Sequence, residues 1–291
     1  MQNNNNVIMR FIKNLLCVIM VILFMCGCSI NAPPQDDTRI SKYSDKVIAH
    51  AMGSIEGLAS TNSLEAFENS YNCNFRYFEV DFFNTADHRI VAIHDWEQWF
   101  EWIGIDINDQ PYKAYSYYDF ITEKIAGKYT PLDIERIAEI MVKYPDVHII
   151  TDTKRPADKL YSDDISRIYV SLEMFEKDLS ERLIVQAYTE NNIKTAQKLV
   201  PDSNIIFTAY MSGMNSSEIA DICRRYPDLF AVTVFKDKIT DEILSAAKDS
   251  GVKVYIHTVN TDEDYQSYFD KGVYGLYTDD ILPALIDDIH K

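Results

Sequence analysis

The sequence predicts an α/β protein that closes as a (β/α)8 barrel of the TIM type and carries one β-hairpin arm. From residue 46 onward, short apolar runs of strand length alternate with segments of helical period, the rhythm of parallel strands joined by helices. Nine such runs occur, one more than a closed eightfold barrel holds. Two of them are separated only by Asn84-Thr85-Ala86-Asp87-His88-Arg89, too short a link for the crossover that parallel neighbours require. That pair is therefore antiparallel, and eight parallel strands remain.

In chain order the predicted strands are Val47–His50, Tyr77–Phe83, Ile90–His94, Val147–Thr153, Leu183–Tyr188, Asn204–Thr208, Phe230–Val234, Val252–Thr258 and Tyr274–Thr278. With the hairpin turn centred near Asp87, Asp81 lies opposite Ile93 and His94 returns beside the Glu79/Asp81 end of its strand. A helix is expected over Ser63–Asn72, capped by Asn62 or Ser63, with Leu64, Phe67 and Tyr71 on one face. Another is expected over Pro131–Lys143, with Thr130 as N-cap, Pro131 in the first helical position and Ile134, Ile137, Ala138 and Met141 as its buried stripe. The aromatic stretch Trp96–Tyr129 is long for a loop in this rhythm and reads either as a lid over the barrel mouth or as a small packed subdomain.

Residues 1–28 read as an export signal. Arg10 and Lys13 are their only charged side chains, an apolar run follows from Leu15 to Met25, and Gly27-Cys28 ends the segment,. The apolar run is short for a bilayer span. Met25-Cys26-Gly27-Cys28 resembles a bacterial lipobox, which makes Cys28 the expected lipidation site; the alternative is an uncleaved N-terminal anchor. Either way the domain is expected outside the cytoplasm, as a membrane-anchored lipoprotein of a bacterium. Residues 29–45, polar and proline-containing, read as a tether, and residues 46–291 as the barrel domain. Cys73 and Cys223 are the thiols left in the domain, as a disulfide or as two free cysteines.

At 291 residues, 47% of them apolar and 25% charged, the chain can bury a full core without disulfides, and collagen-like or wholly disordered classes are excluded,. Asp and Glu outnumber Lys and Arg by 45 to 28. Such a chain repels nucleic-acid backbones at long range, yet it can bind a phosphate where a cation reverses the local field.

Polar groups stand at three strand ends where a barrel interior would otherwise be apolar: His50, then Glu79 and Asp81, then Asp152 and Lys154. Glu79 and Asp81 are two residues apart on one strand and so share a face. Burying both is unfavourable unless a cation sits between them, and Asp152 supplies a third carboxylate. Three hard oxygen ligands point to Mg2+ or Ca2+, not to zinc. Lys154 either adds a positive point for a phosphate or neutralises Asp152. Gln186, Tyr188 and His257 stand at later strand ends that face the same mouth and are candidates for lining a substrate pocket. His88 is expected in the turn, and His148 and His290 are expected to be exposed.

Several segments, in order along the domain, resemble the glycerophosphodiester phosphodiesterase family, within the broader group that includes phosphatidylinositol-specific phospholipases C. Val47-Ile48-Ala49-His50 resembles the family's opening strand with its first catalytic histidine, and Thr61-Asn62-Ser63-Leu64-Glu65-Ala66-Phe67 resembles its Glu-Asn-Thr-Leu-x-Ala-Phe helix start. Phe78-Glu79-Val80-Asp81 and Ile93-His94-Asp95 resemble the metal pair and second histidine; His257-Thr258-Val259-Asn260 and Gly272–Asp279 resemble the last two strands. The chain departs from the family pattern in reading His50-Ala51-Met52-Gly53 for His-Arg-Gly, Thr61 for Glu, Asp152 for Glu and His257 for Trp. The resemblance implies metal-dependent hydrolysis of a phosphodiester, with Glu79, Asp81 and Asp152 around the cation, Lys154 near the phosphate, and His50 and His94 dividing the proton transfers. The expected substrate is a small-molecule or lipid phosphodiester. Two other readings remain open: phospholipase C-like cleavage by internal attack, and a surface protein that binds phosphodiesters or glycans without turnover.

Overall fold

The computed structural model describes residues 44–106 and 113–280. The export signal with Cys28, the tether to residue 43, and His290 lie outside the described residues. Nine strands are described: β1 (Val47–Ala49), β2 (Tyr77–Asn84), β3 (Ile90–Ala92), β4 (His148–Asp152), β5 (Leu183–Ala187), β6 (Asn204–Thr208), β7 (Ala231–Phe235), β8 (Lys253–His257) and β9 (Gly275–Thr278). The helices are α1 (Leu64–Asn72), α2 (Trp96–Trp102), α3 (Tyr117–Thr122), α4 (Ile134–Lys143), α5 (Asp158–Phe175), α6 (Glu190–Leu199), α7 (Ser216–Arg225), α8 (Asp241–Ser250) and α9 (Asp262–Asp270).

Eight of the strands close into a parallel barrel. β1 pairs with β2 through Ile48 and Tyr77 and with β9 through Ile48 and Tyr277, which seals the ring. β3 pairs with β2 alone, antiparallel, with Phe82 opposite Ala92 and Asn84 opposite Ile90. The centre of that register falls at Asp87, as the short link requires.

The period-2 alternation of the strands sorts their residues into two apolar layers. Ile48, Ile150, Ile184, Ile206, Tyr255 and Tyr277 fill the barrel interior. Val47, Ala49, Ile149, Val185, Phe207, Val232 and Ile256 face outward into the helix layer. Tyr77, Phe230 and Tyr274 pack against the interior cluster from the end where the strands begin. Apolar filling at that end leaves the ends of the strands, where the loops enter helices, for the polar residues.

Two sequence expectations change in detail, the start of one helix and the exposure of His148. The helix predicted from Pro131 begins at Ile134, because the Asp133 carboxylate accepts the Arg136 N–H at 2.8 Å and takes the N-cap role expected of Thr130. Thr130 is held instead by Glu65, which accepts its N–H at 2.7 Å and its hydroxyl at 2.8 Å. His148 is half-buried, not exposed: its ring stacks on Tyr77 with centroids 4.5 Å apart and planes 5° from parallel, and burial pushes its pKa down to about 4. The described residues of the Trp96–Tyr129 stretch form a small hydrophobic cluster, with Trp96, Trp99, Phe100, Phe120, Ile125 and Tyr129 gathered on Val91 and Ile93. Cys73 and Cys223 are both free thiols. His88 sits in the hairpin turn with φ 62°, and Ser63 caps α1 by accepting the Ala66 N–H at 3.2 Å.

At the closing strand, Gly275 leaves no room for a side chain. A Cβ there would lie 2.5 Å from the Lys46 carbonyl and 2.6 Å from the Tyr255 ring. Gly275→Ala should destabilise the barrel by about 1–3 kcal/mol through forced displacement of β9 or the Tyr255 ring. Urea denaturation checks this; an unchanged midpoint would show that the seam yields without strain.

Candidate active site

The site grows from one pairing of strands. In the parallel register of β2 with β4, Asp81 lies directly beside Asp152, and Glu79 is one same-face step back along β2,. One oxygen from each of Glu79, Asp81 and Asp152 lies within 4.8 Å of the others, and the three residues are 1%, 1% and 4% exposed. Three buried carboxylates at that spacing repel strongly, and each is held by specific donors.

Glu79 Oε2 accepts the Ala51 N–H at 2.7 Å. That amide comes from a tight turn after β1 in which Ala51, Met52 and Gly53 have φ of 47°, 70° and 87°. Gly53 is required there, since a Cβ would lie 2.2 Å from Ser70 Oγ,. Asp81 is clamped from two sides by Asn62: the Asn62 amide donates to Asp81 Oδ2 at 2.8 Å, and Asn62 Oδ1 accepts the Asp81 N–H at 3.0 Å. Asp152 Oδ1 accepts the Tyr188 hydroxyl at 2.7 Å, and the same phenol oxygen accepts the Thr153 N–H at 2.8 Å and the Lys154 N–H at 3.1 Å. Burial, and next the charge of Glu79, push Asp152 above the usual carboxylate range.

The Lys154 ammonium pairs with Asp81 and lies 3.2 Å from Asp152 Oδ2. It is the neutralising cation of the cluster, and burial lowers its pKa to about 8. Glu79 Oε1 remains buried with no hydrogen-bond partner among the described residues. An orphaned carboxylate oxygen in an all-oxygen, three-carboxylate cluster fits a hard divalent cation.

His50, at the end of β1, lies beside this cluster. Its Nδ1–H donates to Asp279 Oδ1 at 2.9 Å, and its Nε2 lies 4.0 Å from Glu79 Oε2. Asp279 is itself fixed by Asn260, whose amide donates to Oδ2 at 2.8 Å and whose Oδ1 accepts the Asp279 N–H at 2.9 Å. Burial opposes the charged imidazole, but the Asp279 hydrogen bond and the charges of Glu79 and Asp279 outweigh it and raise the His50 pKa. His257 packs edge-on against His50 with ring centroids 4.7 Å apart, and burial pushes its own pKa down to about 3. His257 is therefore neutral at ordinary pH and serves as a wall for His50.

His94 reaches the same end by the hairpin: the Ile93 N–H donates to the Asp81 carbonyl at 3.0 Å, which sets the next residue beside the Asp81 strand end. Its Nδ1–H donates to Asp95 Oδ2 at 2.7 Å, while Asp95 Oδ1 caps α2 by accepting the Gln98 N–H at 2.7 Å. Its side chain is 38% exposed, more open than His50. Gln186 and Tyr188, expected to line the pocket, are both 1% exposed. Gln186 accepts a hydrogen bond from Thr208, and Tyr188 braces Asp152 from within.

Four residues of the constellation carried no site role in the sequence reading. The sequence marks Asn62 as a helix cap within the Thr61–Phe67 motif and Asp279 and Asn260 as parts of strand-end motifs, and it marks nothing at Tyr210. Tyr210 stacks near His257 with centroids 5.0 Å apart, and its pKa is raised by burial and then by Asp152 and Glu79. An Asn in the left-handed region, φ 49° for Asn62, at zero exposure would have been the signal, but it is visible only in the folded chain.

The strand ends of a parallel barrel thus gather three carboxylates that could hold a metal ion, beside a carboxylate-held histidine. Residues 53–282 match the glycerophosphoryl diester phosphodiesterase family. The chain belongs to that family and is a phosphoric diester hydrolase of its kind. Solved structures agree in fold. A glycerophosphodiester phosphodiesterase from Parabacteroides distasonis is similar at 19% identity and a TM-score of 0.64, over 84% of this chain and 95% of that one. A phosphodiesterase from Oleispira antarctica, solved with the product sn-glycerol-3-phosphate, is similar at 16% identity and a TM-score of 0.65, over 84% and 97%. A candidate glycerophosphodiester phosphodiesterase from Galdieria sulphuraria gives 18% identity and a TM-score of 0.67, over 84% and 98%. A search of curated proteins finds no match.

Tyr188→Phe should reduce stability by about 1–3 kcal/mol, because the buried Thr153 N–H loses its acceptor and Asp152 a donor. Denaturant titration with circular dichroism is the check. An unchanged midpoint would mean that the phenol does not hold the carboxylate.

Proposed function

We propose that the protein hydrolyses a glycerophosphodiester-type phosphodiester at the cell envelope, using Glu79, Asp81 and Asp152 to hold Mg2+ or Ca2+. The observation that carries this reading is the three-carboxylate cluster with its orphaned Glu79 oxygen, next to a histidine whose Nδ1–H is held by Asp279.

When bound, the cation supplies neutralisation of the phosphoryl oxygens. The residues of the chain do the rest. Asp279 fixes the tautomer of His50, so that in the neutral ring the free lone pair is on Nε2, the nitrogen turned toward the cluster. Asp95 does the same for His94. One imidazole takes a proton from the nucleophile and the other returns one to the departing alkoxide. Lys154, paired with Asp81 and Asp152, holds an ammonium at the cluster that would add positive charge beside a phosphoryl group. Asn62 and Tyr188 hold two of the carboxylates in place, and His257 limits the rotation of His50.

Calorimetric titration with Mg2+ and Ca2+ tests the cation. Asp81→Asn removes a charged ligand, and Asn62→Ala should weaken binding about 10–100-fold by releasing Asp81. Unchanged affinity in both variants would make the cluster a structural ion-pair network. His50→Ala and His94→Ala should each lower turnover of glycerophosphodiesters about 100- to 10,000-fold. The variant lacking the proton donor should recover rate on an aryl diester, whose leaving group needs no proton, which assigns the two roles. Indifference to both substitutions would remove the acid–base mechanism, and binding without turnover in the presence of metal would favour the non-catalytic surface protein.

The location rests on Gly27-Cys28 at the end of a short apolar run. Labelled fatty acid should enter the wild-type protein and not Cys28→Ala, and equal labelling would overturn the lipid anchor.

A further inference from the structure

Beside the site, between the loops that follow β6 and β7, lies a cavity of about 540 Å3. Tyr210, Met214, Ile219, Val234, Phe235 and Lys238 line it. Both loops belong to the end of the barrel that carries the carboxylates. The cavity and the site share a wall: the Tyr210 ring is 4.8 Å from Phe235 on one side and 5.0 Å from His257 on the other, and His257 is 4.7 Å from His50.

We propose that this cavity is the subsite for one alcohol moiety of the phosphodiester, and that it takes an alcohol with an apolar, ring-sized body bearing a negative charge. The inference rests on the reading of the carboxylate cluster as the phosphoryl site. Its volume belongs to the range of pockets for drug-sized ligands, roughly 300–1,000 Å3, well beyond the need of a simple three-carbon alcohol. Apolar surface predominates in its lining, beside the polar Asn215 and Ser216, and Phe235, 41% exposed, offers an uncovered aromatic surface. On a chain of net charge −17, Lys238 is exposed and forms no ion pair among the described residues. A diester whose phosphoryl group sits at the carboxylate–histidine end and whose alcohol enters this cavity would meet Lys238 in the cavity wall. An anionic tail is attracted there, and a quaternary ammonium tail is repelled.

The test is equilibrium binding, which needs no turnover. Three non-hydrolysable ester analogues, methylphosphinates in which CH2 replaces the oxygen that would link phosphorus to 4-hydroxybenzoate, phenol or choline, are titrated calorimetrically into the full chain with Ca2+ present. Both aryl esters should bind about tenfold more tightly than the choline ester. The carboxyaryl ester should exceed the phenyl ester by up to about fivefold, the range of an exposed ion pair. Lys238→Met, an exposed substitution that leaves packing intact, should abolish the second preference. Met214→Trp, which fills the cavity, should abolish the first. A choline ester that binds as well as the aryl esters, or preferences that survive both variants, would overturn the subsite. Asp81→Asn separates the two levels: flat ester ranking together with affinity that depends on Asp81 removes only the alcohol subsite. Affinities indifferent to Asp81, or no binding of any ester, remove the phosphoryl site and the subsite with it.

Discussion

The structure is organised by the need to keep three carboxylates buried within a few ångströms of one another. Two of them are direct neighbours because β2 and β4 pair in parallel register, and the third shares a face with one of those two. Left alone, such a cluster would protonate or force the strand ends apart. It persists because four separate parts of the chain supply donors: the turn after β1 gives the Ala51 N–H, the entry to α1 gives Asn62, the end of β5 gives Tyr188, and the loop after β4 gives Lys154. Three of the four donors are placed by left-handed backbone, at Ala51 with Met52, at Asn62 and at Lys154. Strain at such positions persists where the surroundings over-determine the conformation.

That arrangement explains why the site combines rigidity with asymmetry. His50 sits in a closed chain of hydrogen bonds, Asn260 to Asp279 to His50, and is walled by His257. His94 stands on the hairpin arm, tied among the described residues to its neighbour Asp95 and more open to solvent. One histidine is therefore built into the barrel, and the other is brought to it by an appended element whose own support is the aromatic cluster around Trp96, Trp99 and Phe120. The aromatic stretch matters to the site through that support: it fixes the strand that delivers His94.

Lys154 shows how a residue satisfies structure and chemistry together. In the present geometry it is the counter-cation of Asp81 and Asp152, so the cluster carries partial compensation without any bound ion. The remaining deficit is concentrated on Glu79, whose Oε1 has no partner among the described residues. A buried anion with one oxygen unsatisfied is a strong acceptor for a divalent cation, and a flexible ammonium can yield its place more readily than a fixed backbone donor.

Much of this was legible in the sequence because it depends on period and length alone. Alternation along Glu79-Val80-Asp81 places both carboxylates on one face. The six residues from Asn84 to Arg89 forbid a parallel crossover, and the strand count then demands a barrel with an arm. The family resemblance, resting on motifs spread along the domain, implied roles for His50, His94, Glu79, Asp81, Asp152 and Lys154, which the strand order and the hairpin bring to one end of the barrel. What only the tertiary structure decided are the pairings between residues far apart in the chain: Asn62 with Asp81, Asp279 with His50, Tyr188 with Asp152, and the shared wall of Tyr210 and His257. Local signals misled where two acceptable caps competed, as with Thr130 and Asp133, because the preference was settled by a contact from Glu65 on another helix. The same limit applies to His148, whose ring is half-buried through its stack on Tyr77 across a strand pairing. Sequence periodicity determines which face a residue takes; which partner meets it there depends on the closure of the ring.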